Sequence, residues 1–191
     1  AAEKKIHGII SLGGGGGTAI GTSAMRALPV GFPKLMVSTL AASENVPTYV
    51  GVKDVVMMPS VVDVAGLNRI SRPIFANAAG AICGMVEANA PPADDKPIIA
   101  ASMFGNTTDC VNQAKLILEE AGYEVLVFHA TGTGGRAMES LIEAGLVAGV
   151  LDLTTTEWAD ELVGGILGAG PTRLEAAARN GVPAVIAPGC L

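Results

Sequence analysis

The chain has 191 residues, half of them apolar, with only 4% aromatic and 16% charged side chains. A formal net charge of −6 excludes a basic nucleic-acid groove, which needs clustered Lys and Arg. No apolar run reaches the about 18 residues of a membrane span, so no membrane partner is expected. The three cysteines, Cys83, Cys110 and Cys190, give neither a metal spacing nor a disulfide framework. They read as buried small hydrophobes in a reducing, cytoplasmic setting.

In chain order, residues 6–12 read as a buried strand. The run Gly13-Gly14-Gly15-Gly16-Gly17-Thr18 follows. Five glycines cost backbone entropy unless the chain must turn sharply or approach a ligand closely. A helix is expected over 18–28. Strand, glycine loop and helix start together aim backbone N–H groups at an anion, usually phosphate. Strands are expected at 34–39 and 54–58, then a long helix over 63–89. Within that helix Ala76, Gly80, Gly84 and Ala88 repeat every four residues, which fits packing onto its own sheet or a homodimer interface.

The proline-rich, charged stretch 91–96 reads as a linker between a first unit at 1–90 and a second at 97–191. The second unit repeats the pattern, with strands at 97–102, 123–129, 147–153 and 183–187. Helices are expected at 107–121, 135–144, 157–162 and 172–180. Gly122, Gly145 and Gly181 fit helix C-caps, and Asn106, Thr107 or Thr108 an N-cap. The alternation predicts an α/β protein of doubly wound parallel sheets, arranged as two Rossmann-like lobes with a cleft between them. Strands covered on both faces account for the mean hydropathy of +0.48.

A second glycine loop, Thr131-Gly132-Thr133-Gly134-Gly135-Arg136, follows the strand at 123–129. The first loop is not a P-loop, because no Lys follows Gly17 in the required place. Gly14-x-Gly16-x-x-Ala19 and Gly132-x-Gly134-x-x-Ala137 both fit the looser dinucleotide pattern. That pattern wants a ribose-binding acid about 20 residues on, which the first loop lacks and Asp152 supplies for the second. Arg136 is placed to pair with phosphate. Thr131, Thr133, Thr154, Thr155 and Thr156 lie at the C-terminal strand ends, as do Ser11, Ser38, Thr39, Ser102, Asn106, Thr107 and Thr108, forming a polar rim where open α/β sheets bind ligands. Asp54, Asp63, Asp109, Asp152 and Glu157 are the acids able to hold Mg²⁺ beside a phosphate, and their spacing selects none of them. His129 reads as a structural histidine, a base or a ligand, and Trp158 as packing. No Cys–His or Ser–His–Asp arrangement is legible.

Several strings carry a resemblance over nearly the whole chain: Ile10-Ser11-Leu12 with the five glycines, Met25-Arg26-Ala27-Leu28-Pro29, Asp63-Val64-Ala65-Gly66-Leu67-Asn68-Arg69-Ile70-Ser71, Phe128-His129-Ala130-Thr131-Gly132-Thr133-Gly134-Gly135-Arg136, and Leu151-Asp152-Leu153-Thr154-Thr155-Thr156-Glu157. They resemble the family of the tomato mosaic virus resistance protein's N-terminal, ATP-binding region. The resemblance implies a two-lobed Rossmann-like fold, ATP binding and self-association as a homodimer or higher oligomer. It carries no viral partner over to this chain. Members of that family begin with a further strand–helix–strand unit and continue past Leu191, some into a phosphoenolpyruvate-hydrolase-like barrel, so a fragment of a longer protein is expected.

The leading expectation is thus an ATP-binding module holding phosphates through Gly13, Gly14, Gly15, Gly16, Gly17 and Thr18, and through Thr131, Gly132, Thr133, Gly134, Gly135 and Arg136, with Thr154 and Thr155 completing the site. The rivals are a metabolic enzyme acting on a dinucleotide or phosphorylated metabolite, and a protein-interaction module with a structural nucleotide.

Overall fold

A computed structural model describes residues 5–92 and 94–191. Ala93, within the proline-rich linker, lies outside the described residues. Two parallel sheets carry the chain, one in each of two compact units, Ala1–Pro92 and Ala93–Leu191.

The first unit runs β1 (Ile9–Gly13), α1 (Gly15–Arg26), β2 (Lys34–Ser38), α2 (Val46–Val50), β3 (Val56–Pro59) and α3 (Ser71–Glu87). Its sheet order is β1-β2-β3, with Gly13 in register with Ser38 and Ser38 with Pro59. All five residues of the central strand are buried, so that strand is covered on both faces. Alternation of side chains along it divides the work. Leu35 and Val37 pack against Ile74, Phe75, Ala78, Ala81 and Ile82 of α3. Met36 points the other way, toward Gly21 of α1, where an added Cβ would come within 3.1 Å of the Met36 sulfur and 2.6 Å of Ser11 Oγ. The absent side chain lets helix and sheet meet closely.

The second unit runs β4 (Ile98–Met103), a 3₁₀ turn (Gly105–Thr107), α4 (Thr108–Glu120), β5 (Glu124–His129), α5 (Thr133–Glu143), β6 (Gly149–Asp152), α6 (Thr156–Val163), α7 (Ala176–Arg179) and β7 (Ala184–Ile186). Its parallel sheet has the order β5-β4-β6-β7. Neighbours on β4 again face opposite ways. Ala100 joins Met138, Ile142, Val150, Ala176 and Ala177 on one side, and Ala101 joins Val111 and Val125 on the other. Helices thus cover both faces, the doubly wound arrangement that the alternation predicts.

Every predicted strand is present, and Gly122, Gly145 and Gly181 each follow a helix at positive φ (+92°, +72° and +66°) as the C-cap reading requires. Four expectations are corrected. First, α1 begins at Gly15, inside the glycine run, and not at Thr18. Second, the long helix starts at Ser71: Gly66 and Val61 take positive φ (+87° and +65°), and the Asn68 side chain accepts the amides of Ile70 and Ser71 at 2.9 Å. That Asx turn sets the helix start and leaves residues 60–70 irregular. Third, the helix expected at 172–180 shrinks to α7, since Leu174 has φ +77°. Fourth, the edge strand β7 is exposed throughout, with Val185 62% accessible, so this strand is not covered on both faces as the central ones are. The short α2, opened by a proline, went unpredicted.

The small-residue stripe is also resolved. Ala76, Gly80, Gly84 and Ala88 are exposed, and a Cβ at Gly80 or Gly84 would meet nothing within 4 Å. The stripe faces away from its own sheet, against the packing reading. Cys83 and Cys110 are exposed and not core hydrophobes, while Cys190 is half-buried. No described helix is long and apolar enough to cross a membrane.

Candidate functional site

The first glycine turn joins β1 to α1. None of Gly13 to Gly17 takes positive φ, so backbone conformation does not demand glycine there. Gly13 is needed for packing, since a Cβ on it would sit 2.8 Å from the Gly17 Cα. Gly14, Gly15 and Gly16 are different: added Cβ atoms would find only Thr39 Oγ1 at 3.6 Å, Leu40 Cδ1 at 3.8 Å and nothing, respectively. Gly14 is the N-cap and offers no side-chain cap; the first turn holds no acid. The first bond to Gly14 closes the turn, from the Thr18 amide at 2.8 Å. The amides of Gly15, Gly16 and Gly17 therefore open the helix without intrahelical partners, at its positive end. Beside them runs the loop after β2, in which Ser43 Oγ is buried without a hydrogen-bond partner. Thr18 takes no part in the open turn. It is fully buried, and its hydroxyl shares a 2.6 Å hydrogen bond with Ser38 Oγ, which also accepts the Leu40 amide at 2.9 Å. The pair ties α1 to the end of β2.

The second glycine loop is built otherwise. Gly132 (φ +80°) lies against the Gly168 carbonyl oxygen, 2.8 Å from where its Cβ would be. A Cβ on Gly134 would overlap the His129 carbonyl, and one on Gly135 would overlap the Glu157 carboxylate. Glu157 is fully buried. Its Oε1 accepts the amides of Gly132 at 2.7 Å and Gly135 at 3.0 Å, and its Oε2 accepts Arg173 Nε at 2.7 Å.

Arg173, 2% exposed, holds the centre of a larger network. Nη1 and Nη2 grip Asp152 at 2.5 and 2.9 Å, and Nη1 reaches Glu139 Oε1 at 3.3 Å. Glu139 in turn accepts the amides of Leu174 and Ala176 at 2.9 Å, capping α7. Burial opposes the charge of Arg173, but the hydrogen bonds and charges of Asp152 and then Glu157 outweigh it and hold the guanidinium above its ordinary value. Ser102 donates to Asp152 Oδ1 at 2.5 Å and accepts the Thr154 amide at 2.9 Å. Thr154 and Thr107 hydroxyls meet at 2.7 Å.

This last pair spans the loops after β4 and β6, the point where strand order reverses and open sheets usually bind ligands. Here the turn near Gly189 also packs in, its amide environment linked through Thr155 N–H to the Gly189 carbonyl at 3.1 Å. Own side chains and backbone thus occupy the crevice. Asp152 is committed to Arg173 and Ser102 and is not a free ribose acid. Of the second loop's residues, Thr133 and Arg136 remain exposed, the latter 3.5 Å from Thr133 Oγ1; Thr131 is half-buried and leans on the His129 carbonyl at 3.4 Å. Thr155 is buried at the N-cap of α6.

The other expected acids are dispersed. Asp54 pairs with the fully buried Lys34 at 2.8 Å and accepts the Gly31 amide at 2.7 Å. Burial pushes its carboxyl up, but the Lys34 hydrogen bond, the Gly31 amide and the Lys34 charge prevail and hold it below the usual carboxylate value. Among the described residues no cluster of three His, Cys, Asp or Glu is placed to hold a metal ion. His129 is exposed, and Trp158 donates its indole N–H to the Arg173 carbonyl at 2.9 Å, a packing role. Two apolar grooves of about 260 and 270 Å³, one by Leu151 and Val185, the other by Ile10 and Cys83, lie on sheet faces.

Sequence reasoning missed Arg173 and Glu139, which stand in no motif, and read Glu157 only as a metal ligand. Thr154-Thr155-Thr156-Glu157 does carry the form of a capping box, a signal for a glutamate that serves backbone amides. In the fold those amides belong to a different helix.

Two family models match, the Uncharacterised protein family (UPF0261) N-terminal domain over residues 1–91 and its C-terminal domain over 96–191. A UPF0261 protein of Clostridium tetani is 62% identical over 99% of this chain and 47% of its own length. One from Mesorhizobium japonicum is 55% identical over 100% of the chain and 47% of its own length. The tomato ToMV resistance protein Tm-1(GCR237) is 44% identical over 99% of the chain and 26% of its own length. The chain therefore spans about half of those bacterial relatives and about a quarter of the tomato protein. With both halves matched in order, the chain belongs to the UPF0261 family.

Proposed function

We propose that this chain is a nucleotide-binding α/β module whose ligand is ATP, with phosphate seated on the amides of Gly15, Gly16 and Gly17. One observation carries the reading: Gly14, Gly15 and Gly16 need neither positive φ nor close protein packing, and the amides of Gly15, Gly16 and Gly17 open α1 with no intrahelical partner and no side-chain cap. Glycine is a poor helix residue. Bare backbone at a helix N-terminus is what a phosphate requires. The reading agrees with the ATP binding that the sequence resemblance implies. It assigns no catalytic residue, and Mg²⁺ would arrive with the nucleotide. A cytoplasmic setting, where ATP is abundant, belongs to the same proposal. The dinucleotide alternative loses its support with Asp152.

Calorimetric titration of the chain with ATP and with NAD, each with and without Mg²⁺, tests it. ATP is expected to saturate, and Gly15→Val to weaken it at least about tenfold, some 1.4 kcal/mol. Absence of ATP binding, or equal binding by Gly15→Val, would overturn the proposal.

A second reading rests on the exposed stripe of α3. Small residues at Ala76, Gly80 and Gly84 permit close approach of another helix, and we propose self-association through that face. The nucleotide then serves an interaction module.

A further inference from the structure

We infer that Glu157 is the resident anion of the second glycine loop. Its carboxylate holds the seat that the loop would otherwise offer to phosphate. The loop of Gly132 to Gly135 is then a structural joint, and the first glycine turn alone takes phosphate. This division of labour rests on the nucleotide reading above; the assignment of Glu157 stands without it.

The two loops share strand, glycines and helix, and differ in what fills them. At the first, the amides of Gly15, Gly16 and Gly17 have no intrahelical partner, and Gly15 and Gly16 are exposed while Gly17 is half-buried. At the second, Glu157 Oε1 bridges the amides of Gly132 and Gly135 at 2.7 and 3.0 Å, with no exposed surface of its own. A carboxylate accepting two amides at a positive helix end satisfies the same chemistry as a phosphate oxygen. The glycines of this loop are explained without a ligand. Gly135 makes room for the carboxylate, Gly134 for the His129 carbonyl, and Gly132 for the Gly168 carbonyl. Arg173 Nε, 2.7 Å from Oε2, anchors the carboxylate from behind, and Asp152 anchors Arg173. A phosphate entering here would have to expel a buried, paired charge, which is costly. The crevice between the loops after β4 and β6 is likewise taken by Ser102, Thr107 and Thr154.

The test uses the full chain and sodium formate, a carboxylate small enough for the vacated seat. In Glu157→Ala the melting temperature falls, and tens of millimolar formate raises it by several degrees, whereas wild type and a sodium chloride control of equal ionic strength hardly move. A formate shift in Glu157→Ala no larger than in wild type would overturn the assignment. Should Glu157→Ala fail to fold, Glu157→Gln keeps the shape without the charge. Its Gly132 and Gly135 amides then exchange with solvent deuterium at least about tenfold faster than in wild type; unchanged exchange would count against the anion role. Hydrogen exchange of wild type with Mg·ATP tests the division of labour. Protection at Gly15 to Gly17 alone is expected, and new protection at Gly132 and Gly135 would overturn it. Formate rescue without any ATP binding would remove the nucleotide reading and leave Glu157 as the resident anion.

Discussion

At the scale of single residues, two glycines in matching motifs have opposite roles. Gly16 faces open space at ordinary φ. Gly16→Ala is expected to leave stability unchanged or raise it by roughly 0.5 kcal/mol, because alanine restricts the unfolded chain. On the proposed nucleotide reading, the same change is expected to weaken ATP binding by crowding the proposed phosphate seat. Gly135 is buried against the Glu157 carboxylate. Gly135→Ala forces that carboxylate off both amides and away from Arg173. The expected loss is roughly 3 kcal/mol or more, the scale for breaking a buried ion pair. Urea unfolding of both variants checks the contrast: similar losses would mean that the two loops are built alike. Trp158, the single tryptophan, hydrogen-bonds to the Arg173 carbonyl and gives a fluorescence signal beside the affected network.

At the scale of elements, the start of β2 depends on a charge. Lys34 is fully buried and donates to the carbonyls of Pro29 at 2.8 Å and Phe32 at 2.9 Å, holding the turn between α1 and β2. Asp54, just before β3, completes its coordination. The Asp54 carboxyl is held below its ordinary value of 3.8, so its contribution is fully present above that pH. The contribution is lost as pH falls through 3.8 and on toward the folded value. The stability gap between wild type and Asp54→Asn should therefore be widest near neutrality and narrow by about pH 3. Denaturant titrations at the two pH values measure it, and a gap independent of pH would show that Asp54 acts through shape and not charge. Asp54 is partly exposed, so the effect is modest.

At the scale of the whole molecule, α3 presents a smooth outer face. Gly84 is exposed and surrounded by open space, so Gly84→Arg should fold as well as wild type. Sedimentation at micromolar concentration is expected to show a dimer or higher oligomer for wild type and a monomer for Gly84→Arg. A monomeric wild type, or an unchanged Gly84→Arg, would remove α3 as the self-association face.

Much of the architecture was decided by the sequence alone. Seven apolar runs became seven strands, and capping glycines such as Gly122 ended helices where expected. Strand periodicity, cap chemistry and the strand–glycine–helix order are local properties, carried by residues next to one another in the chain. Local signals failed where a nearby side chain reset the backbone, as Asn68 does ahead of Ser71. They were silent on which face of α3 meets the sheet, since Ala78 and Ala76 are chemically alike and only packing buries one of them. The two glycine loops likewise read as equivalent. Tertiary structure separated them, because the anion that fills the second comes from Glu157, 25 residues beyond Gly132, and is fixed by Arg173, 16 residues further on. Whether a helix end is free for a ligand depends on which remote carboxylate the fold brings to it, and no pattern of neighbours encodes that.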